Sequence, residues 1–161
     1  MIKVTINPET DIVLDRTVDA PRELIWKAWT QPEHLMPWFC PAPWKAVECE
    51  IDLRPGGQFR TLMLGPDGQR MPVVACYLEV VENERLSWTD TMGAGFRPKA
   101  ASHVPFTAII TLEKKGNGTR YLVQALHSDA ATKAVHDKMG FLEGWSAALD
   151  QLVVYAKSMP K

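Results

Sequence analysis

The C-terminal segment constrains the fold most, because it reads as one amphipathic helix arriving after a run of short strands. At helical spacing, Ala131, Val135, Met139, Leu142, Trp145, Leu149, Leu152 and Ala156 form an apolar stripe between Ser128 and about Ser158. His136, Asp137, Glu143, Asp150 and Lys157 lie away from that stripe. Such a helix needs a surface to cover, and the strands between Trp44 and His127 are the only element large enough to supply one. The expected architecture is α+β: a curved antiparallel sheet of about seven strands wrapped around the C-terminal helix, with two short helices after strand one. Gly140 and Gly144 stand one turn apart, and each weakens a helix by roughly 1 kcal/mol against Ala. They mark places where a strand backbone, a loop or a ligand comes close.

A chain of 161 residues is expected to form a single domain, 1–161, with about 70% of its unfolded surface buried. Its 18 basic and 19 acidic residues leave a net charge of −1, and no basic block exceeds Lys114-Lys115, so nucleic acid and anionic membranes are not expected partners. The opening Met1-Ile2-Lys3-Val4-Thr5-Ile6 alternates and lacks the apolar core of a signal peptide, and no stretch approaches a membrane span. Cys40, Cys49 and Cys76 have no framework spacing. Together these features point to a reducing cytoplasm.

Asp11 to Val18 alternates as a strand, and Asp19-Ala20-Pro21 opens a helix through Trp29 whose buried side is Ile25, Ala28 and Trp29. A second short helix runs from Gln31 to Trp38, making a helical lid. Strands follow at Trp44 to Asp52, Gly57 to Leu64, Met71 to Val81, Arg85 to Thr91, Phe106 to Glu113 and Arg120 to Leu126, separated by glycine- and proline-rich turns. The connection from Thr91 to Pro105 has little apolar periodicity and exceeds the usual length of a structureless loop. It reads equally as an idle connection or as a flap at a cavity mouth near Trp38 and Phe39.

This order of elements resembles the helix-grip fold of START and birch-pollen-allergen-like (SRPBCC) proteins. Asp19 through Trp29, Asp52-Leu53-Arg54-Pro55-Gly56-Gly57, Gly65-Pro66-Asp67-Gly68, Tyr77 through Glu82 and Met139 through Trp145 are similar to the bacterial members named for the activator of 90-kDa heat-shock-protein ATPase. The resemblance covers nearly the whole chain. It implies a fold and an internal cavity rather than an activity.

Several motifs have bland readings that outweigh functional ones. Asp52 through Gly57 is a tight inter-strand connection in which Arg54 pairs with a local carboxylate. Gly144-Trp145-Ser146 resembles a serine nucleophile elbow, but Ser146 lies inside a helix instead of at a strand-to-helix turn. His34, His103, His127 and His136 lack paired ligand spacing, and neither a metal nor a cofactor is expected. His127, closing the last strand, is read as a neutral imidazole bonded to backbone, with a pocket-facing acid-base role as the alternative.

Trp38, Phe39, Trp44, Phe59, Met63, Tyr77, Trp88, Phe106, Trp145 and Leu149 fall on elements that this fold would place around one interior space. Of these, Trp38, Phe59, Met63, Tyr77, Trp88, Phe106, Trp145 and Leu149 are the expected ligand contacts. Asp90 shares a strand face with Trp88 and would add a polar end. The leading expectation is therefore binding of a small hydrophobic molecule. An alternative is a cyclase- or aromatase-like enzyme on a polyketide or similar substrate, with Asp90, Tyr77, His127 and Arg60 as candidate catalytic residues; a third is a co-chaperone binding a chaperone partner. No carboxylate pair, nucleophile-base pair or cofactor motif accompanies them.

Overall fold

The computed structural model describes residues 4–101 and 104–160, so His103 and the first three residues of the opening stretch lie outside it. The chain runs β1 (Asp11–Val18), α1 (Arg22–Thr30), α2 (Pro32–Leu35), β2 (Lys45–Ile51), β3 (Gln58–Leu64), β4 (Arg70–Val81), β5 (Arg85–Thr89), β6 (Met92–Gly93), β7 (Arg97–Pro98), β8 (Thr107–Lys115), β9 (Gly118–Leu126), α3 (Ala130–Lys138) and α4 (Phe141–Ser158). Seven strands form one antiparallel sheet in the order β1-β9-β8-β5-β4-β3-β2, and β6 pairs with β7 in a separate ribbon. Register shifts between Ala46 and Glu48 in β2 and between Tyr77 and Glu79 in β4 are of the kind that bends and twists strands. One face of the sheet, with α1 and α4, encloses a core that includes Leu14, Trp29, Tyr77, Ile110, Tyr121, Leu149 and Leu152. This is the helix-grip arrangement expected from the order of elements. Among the described residues no helix is long and apolar enough to cross a membrane.

The single long terminal helix is not present. Gly140 adopts φ 80, a left-handed conformation in which a side chain is strained, and there the chain divides into α3 and α4. The break shifts the helical phase, so Ala131 and Val135 of the expected stripe face outward and Met139 is left half exposed beside the cavity. Val135 is 54% exposed and Met139 48%, whereas His136, read as polar-face, is 6% exposed. Ala131 and Leu142 are also exposed, and Phe141 takes the inward position beside His136. From Trp145 onward the stripe behaves as expected, with Leu149, Leu152 and Ala156 buried against the sheet. Asp129, rather than Ser128, caps α3: its Oδ1 accepts the Thr132 N–H at 2.7 Å, which holds its carboxyl below the usual carboxylate range. Pro21 sits at the N-cap of α1, and α2 is shorter than the expected Gln31–Trp38 helix.

The first part of the connection after β5 is an ordered ribbon. β6 and β7 fold it into a ribbon around a 3₁₀ turn at Ala94–Phe96, and the Gly95 N–H donates to the Gly56 carbonyl at 2.8 Å. A Cβ on Gly56 would stand 2.8 Å from the Phe96 ring, so glycine there lets the ribbon seat on the β2–β3 connection. Arg54 pairs with Asp52 at 2.9 Å, as its local reading required. Lys99 Nζ, bonding the Asp90 carbonyl at 2.8 Å, fixes the returning strand to the end of β5. The ribbon thus lies on the Asp52–Gly57 turn.

Candidate functional site

Between sheet and helices lies a cavity of about 280 Å³, just under the ~300 Å³ lower edge of common ligand pockets. Strand alternation supplies its floor: Phe59, Thr61 and Met63 from β3, Met71, Val73 and Ala75 from β4, and Trp88 from β5. Trp29 of α1 and Trp38 through Pro41 after α2 form the lid, and Phe141, Gly144, Trp145 and Ala148 of α4 form the opposing wall. Val104, Phe106 and Asp90 close one side, together with His136, Met139 and Gly140.

The walls are largely aromatic, and Trp29 is their hub. Its ring lies 4.9 Å from that of Trp38, 5.2 Å from Trp88 and 5.9 Å from Trp145, while Trp88 and Trp145 stack at 6.1 Å. Two indole N–H groups are committed to the protein: Trp29 Nε1 donates to Tyr121 Oη at 3.1 Å, and Trp38 Nε1 to the His34 carbonyl at 2.9 Å. Gln151 of α4 fastens the lid, since its Nε2 donates to the Trp38 and Cys40 carbonyls and its Oε1 accepts the Ala42 N–H. Burial pushes the Cys40 thiol up to about 11, so this wall residue stays neutral at physiological pH.

Of the expected contacts, Trp38, Phe59, Met63, Trp88, Phe106 and Trp145 line the cavity. Tyr77 and Leu149 do not; both are packed in the core, Tyr77 stacked on Phe59 at 5.4 Å. The Tyr77 hydroxyl is buried without a hydrogen-bond partner, and desolvation raises its pKa. Arg60 points away from Phe59 and Thr61 and pairs on the other face with Glu50 at 2.9 Å and Glu48 at 3.3 Å, too far round the strand to reach a guest. Ser146 Oγ accepts from Arg16 at 3.1 Å on the β1 side of α4. A Cβ on Gly144 would meet Pro41 Cγ at 3.8 Å, an ordinary contact; this glycine faces the lid and cavity rather than a strand backbone.

One carboxyl and one imidazole stand in the wall. Asp90 is 2% exposed, and its Oδ1 accepts the Phe106 N–H at 3.0 Å. His136 is the other, and it is joined to His127: His127 Nδ1 lies 2.8 Å from the Thr10 carbonyl, and His127 Nε2 lies 2.8 Å from His136 Nδ1. His127 itself does not line the cavity. Sequence reading missed Trp29, His136 and Phe141 as wall residues. Trp29 carried only a helix-face signal, and the other two are turned inward by a break that helical periodicity does not show. Among the described residues no group of three His, Cys, Asp or Glu side chains gathers as a metal site would.

The sequence profile of the activator of Hsp90 ATPase homolog 1-like protein family matches residues 19–157. The chain belongs to that family. The crystal structure of protein NE0264 from Nitrosomonas europaea is similar at 39% identity and a TM-score of 0.90, covering 94% of this chain and 97% of that one. Protein Ms6760 from Mycobacterium smegmatis shares 25% identity at a TM-score of 0.78, over 95% of this chain and 94% of its own. A Rhodobacter sphaeroides protein keeps the fold at 17% identity, with a TM-score of 0.83 over 99% of this chain and 100% of the other. No curated protein matches the chain.

Proposed function

We propose that this family member binds a small, largely apolar molecule in the cavity between sheet and α4. The observation that carries the reading is an aromatic-walled space of about 280 Å³ in the interior of a helix-grip fold. A dry cavity of ~150 Å³ already takes benzene, so this one is sized for a molecule of about two fused rings. Burial among Trp29, Trp88 and Trp145 supplies the affinity, and the few polar groups at the Asp90 and His136 side supply orientation.

The test is titration with N-phenyl-1-naphthylamine, read by quenching of indole emission. Wild type is expected to bind at about micromolar strength, ~−8 kcal/mol. Trp145→Ala should weaken binding beyond what its own loss of stability explains, so unfolding is measured alongside. Full affinity in a folded Trp145→Ala protein removes that residue from the site, and no binding to wild type by fluorescence or calorimetry refutes the reading. A second reading, an enzyme acting on a polyketide-like or other hydrophobic substrate, is favoured by one observation, the buried Asp90 carboxyl in the wall. Turnover of a bound guest would separate the two.

A further inference from the structure

Two polar side chains of the cavity floor are left without a hydrogen bond. Trp88 is 4% exposed and Thr61 3%, and both line the cavity. Trp29 and Trp38 commit their indole N–H groups to Tyr121 and the His34 carbonyl, but among the described residues nothing accepts from Trp88 Nε1 or bonds Thr61 Oγ1. Neither atom is among the polar atoms that the packing seals off without a partner. Polar atoms on side chains so nearly buried, unpartnered yet not sealed, open onto the cavity that those side chains line. Buried indole N–H groups ordinarily find an acceptor. A water beside Trp88 would meet the rings of Trp29 and Phe59, both centred 5.2 Å from its own, and would fall short of the roughly two to four polar partners that hold a buried water. The unmet donor is suited instead to an oxygen carried by the guest.

We propose that Trp88 is a specificity-determining residue of this cavity, donating from Nε1 to the carbonyl oxygen of a neutral, bicyclic, otherwise apolar guest, with the Thr61 hydroxyl as a second anchor. The proposal rests on the cavity reading above and deepens it by naming the guest's class. An indole N–H only donates, so the group opposite it is an acceptor. Among the described residues no lysine or arginine lines the cavity, so a carboxylate would enter without a counter-charge, whereas a ketone or other neutral carbonyl needs none. In the sheet, Trp88 stands opposite Tyr77 and Thr61 opposite Val73, four residues apart along β4, so the two groups mark separate points on the floor. A hydroxyl both gives and accepts, and Thr61 therefore serves a second oxygen of the guest.

Three probes of one shape decide it: tetralin, which has no oxygen; 1-tetralone, which adds a carbonyl; and 4-chromanone, which adds a ring oxygen across from that carbonyl. Calorimetry gives their affinities, and infrared difference spectra of carbonyl-labelled 1-tetralone read the bond directly. Bound to wild type, the carbonyl stretch should lie below its frequency in hydrocarbon solvent, and in Trp88→Phe it should return toward that position. The ratio of 1-tetralone to tetralin affinity should fall about fivefold in Trp88→Phe, the effect of one net hydrogen bond, which a change in packing alone would not produce. Thr61→Val should leave stability unchanged or improved, because its hydroxyl has no partner to lose, and should weaken 4-chromanone while sparing 1-tetralone; equal effects on the two remove Thr61 from the subsite. 1-Naphthoate, an anion of similar size, should bind more weakly than 1-tetralone. An unshifted carbonyl in wild type, an unchanged ratio in a folded Trp88→Phe protein, or tighter binding of 1-naphthoate refutes the subsite and leaves the cavity reading standing. If Trp88→Phe does not fold, the wild-type spectrum decides alone. If neither tetralin nor 1-tetralone binds, N-phenyl-1-naphthylamine separates the cases: its binding refutes this subsite only, and its failure takes the cavity reading as well.

Discussion

Gly140→Ala separates two accounts of the C-terminal region by sign. Were residues 128–158 one continuous helix, replacing an interior glycine by alanine would stabilise the protein by about 1 kcal/mol. In the structure Gly140 has φ 80 and ends one helix before the next begins. Sterics contribute little, because the nearest atom to a Cβ there is Glu143 Oε2 at 3.9 Å. The left-handed backbone costs an L-residue ~1–2 kcal/mol, and the stiffer unfolded chain returns ~0.4–1 kcal/mol. The net expectation is destabilisation of roughly 0.5–1 kcal/mol, or about 2–4 °C in melting temperature per kcal/mol for a chain of this size. Gly144→Ala is the internal control: it lies within α4 with its nearest neighbour at an ordinary 3.8 Å, and should stabilise by ~0.5–1 kcal/mol. Urea unfolding followed by circular dichroism and tryptophan fluorescence reads both. If Gly140→Ala stabilises as much as Gly144→Ala, the helix is continuous in solution and the inward placement of His136 loses its basis.

Tyr77→Phe removes a buried hydroxyl that has no partner, so it should be neutral or stabilising by up to ~1–2 kcal/mol in the same unfolding assay; a clear loss of stability would show that the hydroxyl is satisfied in solution. The Asp129 carboxyl, depressed chiefly by the Thr132 backbone N–H, contributes stability that is fully present above the ordinary carboxylate pKa of about 4 and is lost as pH falls through its lower folded value. Melting temperature measured against pH should therefore fall on the acid side in wild type and fall less in Asp129→Asn, which keeps a capping oxygen without a titrating group; parallel curves would contradict the assignment.

Elements whose signal is local were legible in the chain itself. β1 spans Asp11–Val18 as its alternation indicated, and the parity of β3 correctly separates Phe59 and Met63 from Arg60 once one face is known to be inner. What alternation does not carry is depth along the strand. Tyr77 shares a face with Val73 and Ala75, yet it is outside the cavity lining, stacked on Phe59 in the core. The helical stripe failed for a different reason: its apolar positions continue smoothly through Met139, and a single left-handed glycine rotates everything before it. The buried His136 meets His127, just past β9, at 2.8 Å, a pairing no spacing rule encodes.

The strand order has a consequence for how the molecule comes into being. β1 has one neighbour in the sheet, β9, and Asp11 pairs with Leu126 while Val18 pairs with Thr119. β1 must therefore wait for nearly the last residues of this sheet before it can pair, with the apolar side chains of Ile12, Leu14 and Val18 meanwhile uncovered. β2 through β5 can zip as successive local hairpins, but this edge closes only across almost the full length of the chain. Non-local pairing of that kind belongs to the slower, millisecond-to-second class of folding, and until it closes β1 presents an unpaired apolar strand.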